Sequence, residues 1–245
     1  MRQISYFTSG FAFVATVATP VHAGEWKHEV APYVWGAGMS GKSGVGDVVA
    51  DVEMSFGDIV ENLQYGFMGA YRASNDQWSI TVDGVYMALG ATERGPHGRL
   101  KADIDLDQAA LEVDAGYAVL DQFTLIAGLR YNDITAKVRA AGPLGNVEHA
   151  SGSKSWVDPV LGASYRIPFN DTWSLMLRGD IGGFGVGSDF AWQGAATLRW
   201  QAKPTFGVLA AYRYIDMDYD SDSGARTFKY DMAMSGPALG VVFSF

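Results

Sequence analysis

The chain has 245 residues, 48% hydrophobic but only 18% charged, with 30 glycines, 13% aromatics and no cysteine. These values exclude a disulfide-stapled scaffold and a zinc–cysteine site, and a formal net charge of −9 excludes the basic face of a nucleic-acid binder. A mean hydropathy of +0.02 excludes a helical membrane bundle, and the supply of Tyr, Trp, Phe and Val is too large for a disordered chain.

Residues 1–23 have the order of an export signal. Arg2 follows the amino terminus, Phe11, Phe13, Val14 and Val17 form an apolar stretch, and Val21-His22-Ala23 places small residues at a cleavage site. The mature domain is then expected to be 24–245. No later segment has the 18 consecutive apolar residues of a membrane helix. The period is two instead. Phe123, Leu125, Ala127, Leu129 and Tyr131 alternate with Thr124, Gly128, Arg130 and Asn132; Trp173, Leu175 and Leu177 alternate with Ser174, Arg178 and Asp180. From Phe190 to Gln201, Phe190, Trp192, Leu198 and Trp200 oppose Gln193, Thr197, Arg199 and Gln201. Alternation over about ten residues, repeated this often, is the pattern of a transmembrane β-barrel. A soluble sandwich also alternates, but has no need of an aromatic at the ends of so many apolar faces.

The turns repeat one grammar. Asp76-Gln77-Trp78-Ser79-Ile80, Asp121-Gln122-Phe123-Thr124-Leu125 and Asp171-Thr172-Trp173-Ser174-Leu175 each join an acid, a polar residue, an aromatic, a hydroxyl and an aliphatic; Lys203-Pro204-Thr205-Phe206 is a looser copy. These are tight turns at one membrane face, and Trp78, Phe123, Trp173 and Phe206, with Trp200, are expected at the headgroup level. Longer polar connections around 92–103, 139–153, 183–188 and 218–227 belong to the other face. The fold class is therefore all-β: a closed antiparallel up-and-down barrel of about ten strands, with eight or twelve as alternatives. The strands fall near 25–40, 64–74, 77–90, 104–119, 122–137, 154–167, 172–182, 188–202, 205–217 and 228–245. Residues 47–55 also look extended and Phe56 to Leu63 suits a helical turn. An odd strand count would put the chain ends on opposite sides, so 43–63 is assigned to the first outer loop or to a small plug.

The same period turns Arg72, Asp83, Glu112, Asp114, Arg130, Asp158, Arg166, Arg178, Asp180, Arg199 and Arg213 into the lumen. Arginine pairs bidentately with carboxylates across strands, so these residues predict a filled, salt-bridged interior; a charge-lined narrow channel is the alternative. On the last strand Leu239, Val241, Phe243 and Phe245 share a face. An alternating strand that ends in an aromatic resembles the sorting signal that outer-membrane barrels present to their assembly machinery.

Three further features suggest chemistry. Gly182-Gly183-Phe184-Gly185-Val186-Gly187 lacks the following helix of a nucleotide loop and reads as a hairpin tip. Asp216, Asp218, Asp220 and Asp222 lack the closing Glu of an EF-hand and read as a solvated outer stretch, at most bridged by divalent ions to lipopolysaccharide phosphates. Beyond the signal, histidines occur at His28, His97 and His149, none in a His-x-Ser pair. His149 beside Ser151 or Ser153, and Asp83 with Asp114, are the weak leads to a membrane-embedded hydrolase or lipid A-modifying enzyme. No cofactor or metal is expected, and the reading is non-enzymatic.

Glu29-Val30-Ala31-Pro32-Tyr33-Val34-Trp35, Gly179-Asp180-Ile181 with the run to Asp189, Ala211-Tyr212-Arg213-Tyr214-Ile215-Asp216-Met217-Asp218-Tyr219 and Gly236-Pro237-Ala238-Leu239-Gly240 together resemble a family of proteobacterial outer-membrane β-barrel proteins of largely uncharacterised function. The resemblance implies location and architecture: a barrel in a Gram-negative outer membrane. Taken with the residue patterns, the chain is expected to be a monomeric barrel surrounded by lipid and lipopolysaccharide, with a structural, adhesive or small-solute role. It brings no catalytic residues.

Overall fold

The computed structural model describes residues 25–45, 48–94, 101–141, 147–221 and 228–245; the expected export signal and His97 lie outside them. Period-two alternation is carried by twelve antiparallel strands and one short helix. In chain order these are β1 (Lys27–Trp35), β2 (Gly38–Val45), β3 (Val48–Met54), α1 (Phe56–Asn62), β4 (Leu63–Ser74), β5 (Trp78–Arg94) and β6 (Lys101–Leu120). They are followed by β7 (Phe123–Ala141), β8 (Val147–Pro168), β9 (Trp173–Gly182), β10 (Phe190–Lys203), β11 (Phe206–Ser221) and β12 (Phe228–Ser244). Each neighbour pairs with the next from β4 to β12. β1 pairs with both β4 and β12, which closes a ten-stranded wall. Phe245 and His28 exchange backbone hydrogen bonds of 2.9 and 3.0 Å, so closure extends to the end of the chain and leaves no sheet edge in that part of the wall.

The short turns owe their tightness to asparagine as well as to the repeated acid. Asn75 Oδ1 accepts from the amides of Gln77 and Trp78, and Asn170 Oδ1 from those of Thr172 and Trp173. Each side chain thus imitates a backbone turn.

The first hairpin departs from expectation. The single strand expected over 25–40 breaks at Gly36–Ala37 and resumes as β2, which continues along the same partner, β12. The break lies where the chain crosses Gly236: a Cβ there would meet the Gly36 carbonyl oxygen at 2.1 Å, a separation only glycine permits. Residues 43–63 are neither an irregular loop nor a plug alone. They complete β2, form β3 against it, and then form α1, capped reciprocally by Ser55 and Asp58. β2 and β3 are thus extra to the ten-stranded wall.

Pairing between β1 and β4 stops at Pro32 and Gly69. Proline has no amide hydrogen to donate, and three residues on, the Trp35 amide donates to the Met68 sulfur at 3.2 Å rather than to a backbone carbonyl. α1 lies across this seam, with Ile59 buried in the core and Phe56 and Val60 exposed.

β6, β7 and β8 have 20, 19 and 22 residues, about twice the length that crosses a membrane. Much of the expected loop at 139–153 is therefore paired strand rising past the barrel, in register out to Ala141 and Val147. β11 likewise continues to Ser221. A barrel of this closure resists dodecyl sulfate until heated: an unboiled refolded sample is expected to migrate ahead of a boiled one on a gel. Identical mobility of the two samples would contradict the closed wall.

Candidate functional site

Every second side chain on a barrel strand points inward, and in this chain those side chains form three tiers. The middle tier is ionic. Arg130 is 1% exposed; it donates through Nε to Glu112 and through Nη2 to Asp180 at 2.8 Å. Arg178 reaches the same two acids and also Asp114, at 2.8 Å. Gln193 Nε2 donates to Asp180 and Gln193 Oε1 accepts from Arg213. Arg213 pairs with Asp83 at 3.0 Å, Asp83 also accepts from the Tyr33 hydroxyl, and the Arg213 guanidinium lies 5.1 Å from the Trp35 ring centroid. One connected network thus runs from β1 through β5, β6, β7, β9, β10 and β11 across the lumen. Two buried atoms in it have no hydrogen-bond partner among the described residues, Asp114 Oδ1 and Arg130 Nη1.

The inner tier, beside the short turns, is built on Glu29. Arg199 holds it bidentately at 2.6 and 3.1 Å, and the Ser244 hydroxyl donates to it. Arg72 stands directly opposite Glu29 in the β1–β4 register, and Arg166 occupies the inner end of β8.

The outer tier is apolar. Met39, Met87, Met217, Met232 and Met234 are buried with Trp35, Ile59, Leu89, Trp156, Ile215 and Tyr230, and Met54 and Met68 pack against them. Seven of the chain's nine methionines thus serve one core. Their flexible thioethers fill irregular space between bulky rings. Trp156 stacks on Tyr219 at 4.5 Å and closes this tier toward the outer rim. Asp158 lies apart from the ionic network: it is fully buried and accepts from the Ser188 amide and hydroxyl, both at 2.6 Å, and from Trp156 Nε1 at 3.1 Å. Those bonds fold the β9–β10 connection inward over β8. The glycine run is accordingly more than a hairpin tip; Gly183 and Gly185 have positive φ, which brings Ser188 to the carboxylate. Between the ionic and apolar tiers lies a cavity of about 30 Å³ lined by Arg130, Arg213, Gln108, Met87, Met217 and Met234, room for only a water or two.

The eleven lumen residues named from periodicity therefore separate into groups. Seven of them, Asp83, Glu112, Asp114, Arg130, Arg178, Asp180 and Arg213, join the middle network. Asp158 sits in its own cage, and Arg72, Arg166 and Arg199 stand at the inner end. Asp83 and Asp114 each bind their own arginine rather than one another. His28 stacks between Tyr71 and Phe245, and the side chain of His149 lies outside what is described. Glu29, whose alternation with Val30 and Val34 is visible in the sequence, and the whole methionine tier are not among the residues expected from periodicity.

The outer face carries large exposed apolar side chains on every strand of the wall, such as Val34, Phe67, Leu129, Leu161, Leu177 and Leu239. At the inner end, Trp78 packs on Tyr117, Trp173 on Trp200 and Phe206 on Phe243; Phe123 pairs in register with Tyr165. A second aromatic level, which the turn grammar does not mark, holds Tyr65 on Tyr86 and Trp192 on Tyr214. Just beyond it the outward residues become acidic, and the hydroxyls of Tyr86, Tyr131 and Tyr214 reach Asp107, Asp133 and Asp216. On β5 the two levels are eight residues apart (Trp78 to Tyr86). That is about 27 Å along a strand at ~3.4 Å per residue, or roughly 21 Å of height at a tilt of about 40°, close to the ~25 Å apolar band of such barrels.

A closed wall, an apolar belt between two aromatic levels and a filled lumen define a transmembrane β-barrel. Neither a protein-family model nor a curated protein matches the sequence. Among solved structures the chain is similar to the outer-membrane protease OmpT from Escherichia coli (TM-score 0.50, 10% identity, 90% of this chain and 97% of that one). It is also similar to the translocator domain of the autotransporter NalP from Neisseria meningitidis (0.44, 15%, 91% and 90%) and to Ail, the attachment invasion locus protein of Yersinia pestis (0.41, 15%, 91% and 99%). At these identities the likeness concerns the barrel fold.

The network makes one energetic prediction. Arg130→Ala removes the more deeply buried of the two guanidiniums that Glu112 and Asp180 share and leaves both acids to Arg178. Such a loss costs about 3–5 kcal/mol, so the urea midpoint followed by tryptophan fluorescence should fall sharply. A midpoint within experimental scatter of the parent would show that the network does not carry stability.

Proposed function

We propose that the chain is an outer-membrane protein of a Gram-negative bacterium whose lumen is sealed and whose role, structural, adhesive or in binding a partner, is exercised at its outer rim. The observation that carries this reading is the stack of ionic and apolar tiers across the lumen, with a cavity of only about 30 Å³ between them among the described residues. The elongated β6–β8 sheet supports it. β8 pairs with β9 only from Val160 inward, so its outer half has β7 on one side and, among the described residues, no strand on the other. An unpaired strand edge is a template for an added strand.

On this reading residues 1–23 direct export, and Phe243 and Phe245 mark the last strand for the assembly machinery. Trp78, Phe123, Trp173, Trp200 and Phe206 anchor the inner membrane boundary, with lipid and lipopolysaccharide around a monomer. The finer placement is the proteobacterial barrel family that the four motifs resemble. Gly236 supports it, since its close approach to Gly36 gives the Gly-Pro-Ala motif a structural cause. The reading is non-enzymatic: the acids of the lumen are engaged by arginines or amides, and His28 by aromatic rings.

The rival is a narrow channel. In a planar bilayer the purified barrel is expected to give no discrete conductance steps, whereas Arg130→Ala, by opening the middle tier, should produce small leaks. Regular steps from the unmodified protein would overturn the sealed reading in favour of the channel.

A further inference from the structure

Lumen charge balances as a whole but not locally. Counting Glu29, six arginines face six carboxylates. In the middle tier Asp83, Glu112, Asp114 and Asp180 outnumber Arg130, Arg178 and Arg213. At the inner end Arg72, Arg166 and Arg199 share Glu29 alone. Arg199 takes both of its oxygens and the Ser244 hydroxyl takes a further lone pair. The guanidiniums of Arg72, although opposite Glu29 in register, and of Arg166 make no hydrogen bond or ion pair with any described residue. Besides its burial, Arg72 feels the charge of Glu29 and, against it, those of Arg199 and Arg166, so both other guanidiniums stand near it. Arg72 is half-buried and Arg166 exposed. The cross-strand neighbours are Thr81 for Arg72 and Ser174 for Arg199, hydroxyls that can donate to the same guest.

Two surplus guanidiniums at a solvent-accessible mouth attract an anion. A planar guanidinium matches a carboxylate or phosphate with two parallel hydrogen bonds. The middle tier lacks this capacity because its carboxylates outnumber its cations. We propose that Arg72, Arg166 and Arg199 form an oxyanion-binding site at the inner mouth of the barrel. The site takes a phosphate- or carboxylate-bearing ligand from the side of the membrane that holds the short turns. Arg72 and Arg166 supply the free donors, while Arg199, tethered by Glu29, supplies charge and fixes the geometry. The inference stands whether or not the lumen conducts, since the site lies inward of the sealing network.

The test is calorimetric titration of the full refolded barrel, in non-ionic detergent at low ionic strength, with inorganic phosphate and separately with succinate. Saturable binding of one anion per barrel is expected, weakening at least fivefold in Arg166→Gln and in Arg72→Gln and vanishing in the double variant. Lys137→Gln, on the outer sheet, should leave it unchanged. Arg166 is exposed and unpaired, so its variant is expected to fold, and the heat-dependent gel shift verifies this for each protein. Binding of phosphate alone would assign the site to phosphates; equal or tighter binding of succinate would assign it to carboxylates carried by larger molecules on the inner side. Either supports the site. Failure of both anions to bind saturably, or binding indifferent to the Arg72 and Arg166 substitutions, overturns it.

Discussion

Taking charge out of water is the constraint on which the rest of this structure depends. A closed sheet satisfies its own backbone, so the wall can stand in lipid. Its inward side chains must then fill a space too narrow for bulk water and too polar for a simple core. The middle tier meets that demand with Arg130 and Arg178, each bound to more than one carboxylate. No single pair could be removed without leaving a buried charge exposed to low dielectric. The network therefore acts as a transverse brace between opposite walls, and on the reading proposed above the same contacts seal the lumen.

Above and below the brace the barrel has different tasks. The outer lumen abandons ions for methionine and aromatic packing, which allows β1 to bend at Gly36, β4 to part from β1 beyond Pro32, and α1 to cover the resulting seam. Such an irregular interior suits methionine, whose shape adapts. The inner lumen is short of carboxylates and open to water. The asymmetry along the axis follows from how the charges are distributed: a braced middle, an adaptable outer half that supports the protruding sheet, and a cationic inner mouth.

Much of this was legible in the sequence, and for a definite reason. Lipid on one side and a polar lumen on the other impose a strict period of two, so Asp83, Glu112, Arg130, Arg178 and Arg213 could be turned inward by counting alone. Which acid meets which arginine could not be read, because β6 and β9 are far apart in sequence and meet only across the closed barrel. The methionine tier escaped because its members come singly or in pairs from β2, β3, β4, β5, β11 and β12 and meet only across the closed barrel. Near its outer end Met217 and Tyr219 alternate with acids. The outer aromatic level escaped because no turn marks it. The broken first strand turns on one atomic approach, Gly236 to the Gly36 carbonyl, that no local pattern announces.

The central claim is that the brace and the methionine tier seal the lumen. The chain has no cysteine, so a single Met217→Cys substitution places a unique thiol in the outer tier, where Met217 is 1% exposed. A charged, water-soluble thiol reagent added to either side of the reconstituted barrel should leave this cysteine unmodified until the protein is denatured. Rapid modification of the native barrel from either side would contradict the sealed lumen.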